Sequence, residues 1–265
     1  MREVSCKKIT EAVKRLSIES NCFLNSDIYN ALKEAKTKET SPVGQEFLSQ
    51  LIENADIARE KNMPVCQDTG VAVIFIEMGQ EVHITDGYLA DAVNEGVRQG
   101  YIEGYLRKSV VGDPILRKNT NDNTPAVIHY NIVEGDSFKI TVAPKGIGSE
   151  NMSKIFMLKP SDGIDGIKKA VLDTVEEAGP NPCPPVIVGV GIGGNFEKCA
   201  LIAKQALLRS VGENNPLPHI AQLEKELLEE VNRLGIGPQG LGGKTTALAV
   251  NIEVYPTHIA ECLLL

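Results

Sequence analysis

The stretch VIVGVGIGGNFEKCA, residues 186–200, decides how the chain is read. It opens on the β-branched residues Val186, Ile187 and Val188 of an apolar run, PVIVGV (185–190), that reads as a buried strand, and from Asn195 the spacing becomes helical. Between them lie Gly189, Gly191 and Gly194 in the order G-x-G-x-x-G. A strand, three glycines so spaced and a helix are what a dinucleotide cradle requires. The surroundings argue against it. Glu213, the acidic residue nearest the expected offset, falls in VGENNP beyond the helix and not at the end of a second strand. That helix leads to another helix, so no βαβ unit closes. A tight strand-to-helix turn would need glycines in any case. A cysteine just ahead of the loop, in PCPP at 182–185, adds a third reading, a metal site.

Working outward, the first 62 residues read as helical. Residues 4–16 carry apolar positions three and four apart. Ser26 is placed to cap a second helix through Ala35. Ser41-Pro42 opens a third, running to about Arg59, with serine at the N-cap and proline in the first turn. From residue 63 the texture changes. VAVIFIEMG (71–79) reads as a strand and 86–106 as a long helix. PAVIHYNIV (125–133) and SFKITVAPK (137–145) read as two antiparallel strands joined by the turn Glu134-Gly135-Asp136. Helices follow over 162–178, 195–209 and 219–233, and strands over 185–190 and 246–254. No repeat or low-complexity linker divides the chain. The expectation is one domain over 1–265 with an α+β (mixed α/β) fold: a helical N-terminal part, about 1–62, then a mixed β-sheet with flanking helices over 63–265.

Bulk properties exclude several functions. The net charge of −8 and the lack of a basic run disfavour nucleic acid, whose binding rests on phosphate neutralisation. Aromatic content of 5% without tryptophan offers no stacking platform for bases. No apolar stretch is long enough to span a bilayer. The opening MREVSCKKITEAVKRL has no apolar signal core, so a cytoplasmic protein is expected. The six cysteines are far apart and include no CxxC pair, which favours free thiols or metal ligands over disulfides or a zinc ribbon.

Three glycine-rich loops are candidates for function: GIGSEN (146–151), GVGIGGN (189–195) and GIGPQGLGGK (235–244). GLGGKTT suggests a phosphate loop, but the position of its required first glycine holds Pro238. PVCQDTG (64–70) is sharper. A soft thiolate ligand stands directly before an amide, a carboxylate suited to proton transfer and a hydroxyl. A plain turn made by Asp68-Thr69-Gly70 is the competing reading.

Taken together, these loops resemble the α-subunit of class I, iron–sulfur fumarate hydratases and their relatives, the L-tartrate dehydratases. The resembling stretches are PVCQDTG (64–70), GYLRKSVV (104–111), NTNDNTPAVIHY (119–130), PKGIGSENMSK (144–154), NPCPPVIVGVGIGGNFEKCALIAKQALLR (181–209) and GPQGLGGKTTALAVNIEVYPTHIA (237–260). They span most of the chain in family order. The resemblance implies a hydro-lyase that reversibly hydrates a small dicarboxylate, fumarate to L-malate first, with L-tartrate dehydration as the alternative. It implies a 4Fe–4S cluster held by three cysteines, with one open iron acting as a Lewis acid. Cys66 and Cys183 match two of those ligands, whereas Cys199 lies on the following helix and is expected to be packed. The resemblance also assigns Gln67, Arg107, Gly146 and Gly148 to substrate, Asp68 and His258 to catalysis, and the glycines at 189–194 to the wall of the cluster site. Lys145 and Lys244 are further cations for a dianion.

Two departures from the family matter. Its third cluster cysteine lies about a dozen residues beyond the Pro-Thr-His histidine, a position this sequence does not contain, and Cys262 falls too early. The resemblance thus implies an α-chain truncated at its C-terminus, whose cluster is absent or labile in 265 residues alone. The proton-transferring residue that single-chain relatives carry in a C-terminal domain is also missing. A separate β-subunit is therefore expected as partner, in an oligomer, with the isolated chain inactive. A cluster-free scaffold or assembly subunit and a nucleotide-dependent oxidoreductase stay open as readings of another class.

Overall fold

A computed structural model of the chain describes residues 1–260 and the backbone of 262–264. The chain divides into two compact units. One comprises residues 1–24 and 54–147, the other 25–53 and 148–265. The mixed α+β class is as expected.

The first unit is built on strand β2 (Val71–Gly79), whose centre is buried. Such a strand needs partners on both edges. It takes β4 (Val127–Val133) in parallel and β5 (Phe138–Lys145) antiparallel, in the order β4-β2-β5. The two strands expected to pair with each other therefore flank β2 instead. The physical reason is apolar content: the nine residues VAVIFIEMG carry the strongest apolar run, and centring them buries most surface. Helices α1 (Cys6–Cys22) and α4 (Leu89–Glu103) pack on one face of this sheet. Cys6, Ile9 and Val13 of α1 meet Val93, Val97 and Tyr101 of α4 over Ala72, Ile74 and Ile76. Ser5 caps α1 by accepting from Lys8 N–H at 3.4 Å. Ahead of α1, β1 (Arg2–Ser5) pairs in parallel with β3 (Val82–Thr85), a small sheet the helical reading of the N-terminus did not contain. Four residues are too few to show a period.

The second unit is a layered α/β body. Its sheet has the order β6-β9-β7-β8, from β6 (Phe156–Leu158), the backbone of β9 (Cys262–Leu264), β7 (Val186–Gly193) and β8 (Ala247–Tyr255). β7 and β8 are parallel, with Val186 opposite Ala247 and Gly193 opposite Tyr255. Helices α6 (Gly163–Ala178) and α8 (Pro218–Arg233) cover the face bearing Val188, Val190 and Ile192. Helix α7 (Phe196–Ala206) covers the face bearing Gly189 and Gly191. Helix α2 (Ser26–Lys38) also belongs to this unit. Asn25, not Ser26, is its N-cap residue. Helix α3 (Pro42–Lys61) starts where expected, with Ser41 Oγ accepting from Gly44 N–H at 3.2 Å. No helix among the described residues is long and apolar enough to cross a membrane.

Candidate active site

In the first unit, loop 64–70 runs from α3 into β2. Cys66 is a free, exposed thiol, and its sulfur accepts from Asp68 N–H at 3.4 Å. The Gln67 amide oxygen lies 3.6 Å from the same sulfur. Gly70 has φ +66°, and a Cβ there would stand 2.3 Å from the Lys145 carbonyl oxygen. Only glycine lets the loop lie so close against segment 145–147. Asp68 fastens the contact: Oδ1 accepts from Gly70 N–H at 3.1 Å and Oδ2 from Ile147 N–H at 2.8 Å. Gly146 faces that carboxylate, and a Cβ on it would be 3.3 Å from Oδ2. The turn reading and the site reading of Asp68 are thus compatible, since each oxygen keeps a lone pair.

Arg107 is held in the same place by its backbone. Thr69 Oγ1 accepts from Arg107 N–H at 2.9 Å and donates to the Arg107 carbonyl at 3.1 Å. The buried hydroxyl thus replaces a strand partner for one residue. Its guanidinium has no partner among the described residues. Two buried side chains lock the clasp. Tyr101 Oη donates to Thr69 O at 2.8 Å, and burial pushes its pKa up to about 12, so it stays a donor. Asn123 Nδ2 donates to Gly70 O at 3.1 Å, while its Oδ1 accepts from Ser109 N–H at 2.7 Å. Cys66, Gln67, Asp68, Arg107 and Gly146 therefore converge within one unit. Thr69, Tyr101 and Asn123, which hold them, were not singled out from the sequence. Thr69 and Asn123 lie inside stretches that carry the family resemblance, but nothing in their type marked them as fasteners.

In the second unit, Cys183 is likewise free and exposed, with φ +56°. Its N–H donates to Pro180 O at 2.9 Å. Gln239, also at φ +56°, donates from its backbone N–H to Pro184 O at 2.7 Å and from Nε2 to the same oxygen at 3.1 Å. A Cβ on Gly148 would be 3.0 Å from Asn181 O, so this glycine borders the same loop. Lys244 follows the glycine loop anchored by Glu39, whose Oε2 accepts from Lys244 N–H at 2.7 Å. Glu39 also escaped the sequence reading, 205 residues away from its partner.

His258 is not brought to Cys183. Cys183 precedes the start of β7, and His258 follows the end of β8, which runs parallel to it. At about 3.3 Å per residue the two ends are roughly 23 Å apart. Thr257 Oγ1 donates to Gly194 O at 3.1 Å, which ties the histidine segment to the far end. His258 is exposed there, with Nδ1 accepting from Ala260 N–H at 3.2 Å.

Glycines 189 and 191 have a packing role. A Cβ on Gly189 would lie 2.4 Å from Ala203 O, and one on Gly191 2.3 Å from Cys199 O. They seat α7 against β7. Cys199 is fully buried, its sulfur donating to Gly191 O at 3.1 Å, in line with the packed role expected of it. The side chain of Cys262 lies outside the described residues. Among the described residues no group of three or more histidine, cysteine or acidic side chains converges as a metal site would require.

A family model described as Fumarate hydratase (Fumerase) matches residues 10–264. The chain belongs to this family. It is 44% identical over 260 residues to a protein of Methanocaldococcus jannaschii provisionally named L(+)-tartrate dehydratase subunit alpha, covering 96% of this chain and 91% of that one. It is 33% identical over 260 residues to the L(+)-tartrate dehydratase subunit alpha of Escherichia coli O157:H7, covering 97% of this chain and 86% of that one. Both names describe hydro-lyases, and this fumarate hydratase family chain is an α-type hydro-lyase subunit.

Proposed function

We propose that the chain is the α-subunit of an iron–sulfur hydro-lyase that reversibly adds water to fumarate to give L-malate. The observation that carries this reading is the clasp of Thr69 on Arg107 beside Cys66, Gln67 and Asp68. It supports reading Arg107 as a carboxylate-binding cation, Asp68 as a proton acceptor and Cys66 as a soft metal ligand in one loop cluster.

Cys66 and Cys183 are the residues that would hold the cluster. Both are free, exposed thiols on loops, and Cys66 already receives an N–H bond of the kind that supports a metal-bound thiolate. When bound, the cluster supplies a Lewis-acid iron that polarises the substrate hydroxyl. The rest of the chemistry belongs to side chains. Arg107 presents its planar fork to one substrate carboxylate. The Gln67 amide donates to the substrate's oxygens. Asp68, oriented by two backbone N–H donors, takes up or returns a proton at Oδ1 or Oδ2. Gly146 and Gly148 leave the backbone bare where substrate approaches. In a chain of net charge −8 these local donors are what admit a dianion. His258 has no part in this proposal.

The name "subunit alpha" borne by the relatives supports a β-subunit partner, which would bring the second proton-transferring group. The free thiols fit a cytoplasmic location. A second reading, L-tartrate dehydration to oxaloacetate, is favoured by those same names. The test is an anaerobic assay of the chain reconstituted with iron, sulfide and its β-subunit, with fumarate, L-malate and L-tartrate in turn. Turnover of fumarate supports the first reading and of tartrate alone the second. Iron loading with neither activity would sink both.

A further inference from the structure

Loop 235–244 has the glycines of a ligand cradle but turns its donors into the protein. Gly237 N–H donates to Thr246 Oγ1 at 3.1 Å, Gly240 N–H to Gly237 O at 3.0 Å and Gly242 N–H to Ile236 O at 2.8 Å. A Cβ on Gly237 would stand 2.2 Å from the carbonyl carbon of Gly242, so the two arms of the loop touch. Glu39 Oε2 accepts from Lys244 and Thr245 N–H and ties down the far end. A phosphate cradle needs such N–H groups pointing outward; here they stiffen a platform.

The platform grips the segment that carries Cys183 at two points. A Cβ on Gly240 would stand 2.3 Å from Pro180 Cβ, so bare backbone lies on Pro180. At the other end, Pro184 O receives two donors from Gln239, the backbone N–H at 2.7 Å and Nε2 at 3.1 Å. A carbonyl oxygen has two lone pairs, and one residue supplies a donor for each. Cys183 lies between the grips, its N–H donating to Pro180 O at 2.9 Å. Cys183 and Gln239 both take φ +56°, which is unfavourable for any residue with a Cβ. Such a conformation persists only where its surroundings hold it, and it concentrates at functional sites. The Cys183 side chain takes no part in the holding, because its thiol is free and exposed.

We propose, on the reading of Cys183 as a cluster ligand, that Gln239 is the positioning residue of that thiol. Its paired N–H groups hold Pro184 O and so keep Cys183 in the left-handed conformation that presents its sulfur. Gly240 on Pro180 fixes the other end of the segment, and Glu39 fixes the platform behind both. Without the amide, Cys183 relaxes toward the ordinary backbone regions, and its sulfur swings away with the Cα–Cβ bond. The side chain suits the task, since its NH₂ group donates to a carbonyl oxygen. Glutamate would set a second acceptor against Pro184 O. Alanine would leave the backbone bond alone to do the holding. Glycine would lose the amide too, yet it fits a positive φ better than alanine, so it separates the hold on Cys183 from the stability of the platform.

The test uses the full-length chain, reconstituted anaerobically with iron and sulfide beside its β-subunit, and reads the rate at which a chelator removes iron. Gln239→Glu, Gln239→Ala and Gln239→Gly should each lose iron about tenfold faster than the parent, the ratio expected for one hydrogen bond. Gln239→Gly should melt above Gln239→Ala and still lose iron as fast, whereas a purely structural role would recover both together. In a Cys183→Ser background the same substitutions should make no further difference, while in a Cys66→Ser background the full ratio should remain. In the chain without iron, amide-resolved hydrogen exchange should show the Cys183 N–H opened by Gln239→Ala and the Gly70 N–H unchanged. Release as slow as the parent's would overturn the positioning role and leave Cys183 a ligand. So would a release rate that recovers with the melting point in Gln239→Gly, or a ratio that survives in Cys183→Ser. A Cys183→Ser chain that loads and keeps iron like the parent, or a parent that loads none, would overturn the ligand reading itself and this role with it.

Discussion

Replacing Glu39 by glutamine should destabilise the protein, because its two carboxylate oxygens serve four backbone donors. Glu39 follows α2 and is only 2% exposed. Its Oε1 accepts from Thr40 N–H at 2.8 Å and Ser41 N–H at 3.0 Å. Its Oε2 accepts from Lys244 N–H at 2.7 Å and Thr245 N–H at 3.2 Å. Glutamine keeps one accepting oxygen and turns an NH₂ group toward the other pair of donors. Two buried or part-buried N–H groups then lose their acceptor, at about 1–3 kcal/mol each and toward the lower end where water can reach them. A total loss of about 2–5 kcal/mol lowers the thermal midpoint by roughly 5–15 °C in a chain of this size. Burial pushes the Glu39 carboxyl pKa up, but the four N–H donors outweigh it and leave the group below its ordinary value. Its contribution is therefore complete above the ordinary carboxylate pKa of about 4.3 and disappears as pH falls below that, through the folded value. Melting followed by circular dichroism should show the full gap between the two proteins at pH 7 and a shrinking gap in the acid range. Glu34→Gln, an exposed change on α2, should move the midpoint by little. A midpoint for Glu39→Gln within about 1 °C of the parent at pH 7, or a gap that stays constant into acid, would refute the reasoning.

Arg107→Ala in the reconstituted complex should weaken substrate binding by about 2–5 kcal/mol, seen as a raised KM, because one substrate carboxylate loses its charge-assisted partner. An unchanged KM would remove Arg107 from the site. Thr69→Val keeps the side-chain shape but strips the clasp from the Arg107 backbone, so about 1–3 kcal/mol of stability should be lost and KM should rise with it. Cys66→Ser should lower iron content after anaerobic reconstitution, while Cys199→Ser should leave it nearly unchanged; equal losses would show the exposed thiol is no ligand. Gly191→Ala should cost about 1–3 kcal/mol or more by chemical denaturation, since its methyl would meet Cys199 O, and a neutral result would mean that α7 shifts freely.

Much of the fold was legible because its strongest elements carry their own period. VAVIFIEMG announces a buried strand by apolar content alone, and α8 shows its buried stripe as Ile220, Leu223, Leu227 and Val231. Pairing was not legible. β4 and β5 have the sequence of a hairpin, with Gly135 in the turn, yet β2 lies between them. A turn signal reports only where the chain reverses. Which strand fills the gap depends on apolar area contributed some fifty residues earlier. The same limit hid β1 and β6, of four and three residues, whose existence rests wholly on their partners.

The site was legible in its chemistry and not in its support. Cys66, Gln67 and Asp68 could be picked out because thiol, amide and carboxylate in succession are uncommon in a plain turn. Glu39 could not, because its four donors are backbone groups that any residue would present, and two of them come from the far end of the chain. Gly189 and Gly191 show the converse case. A nucleotide cradle, a cluster wall and a close helix seat all ask for the same thing of a sequence, which is the absence of a Cβ. In this chain the atoms that fill the vacated space are Ala203 O and Cys199 O, both of α7. They belong to the protein itself, so at these two positions the spacing carries a packing message.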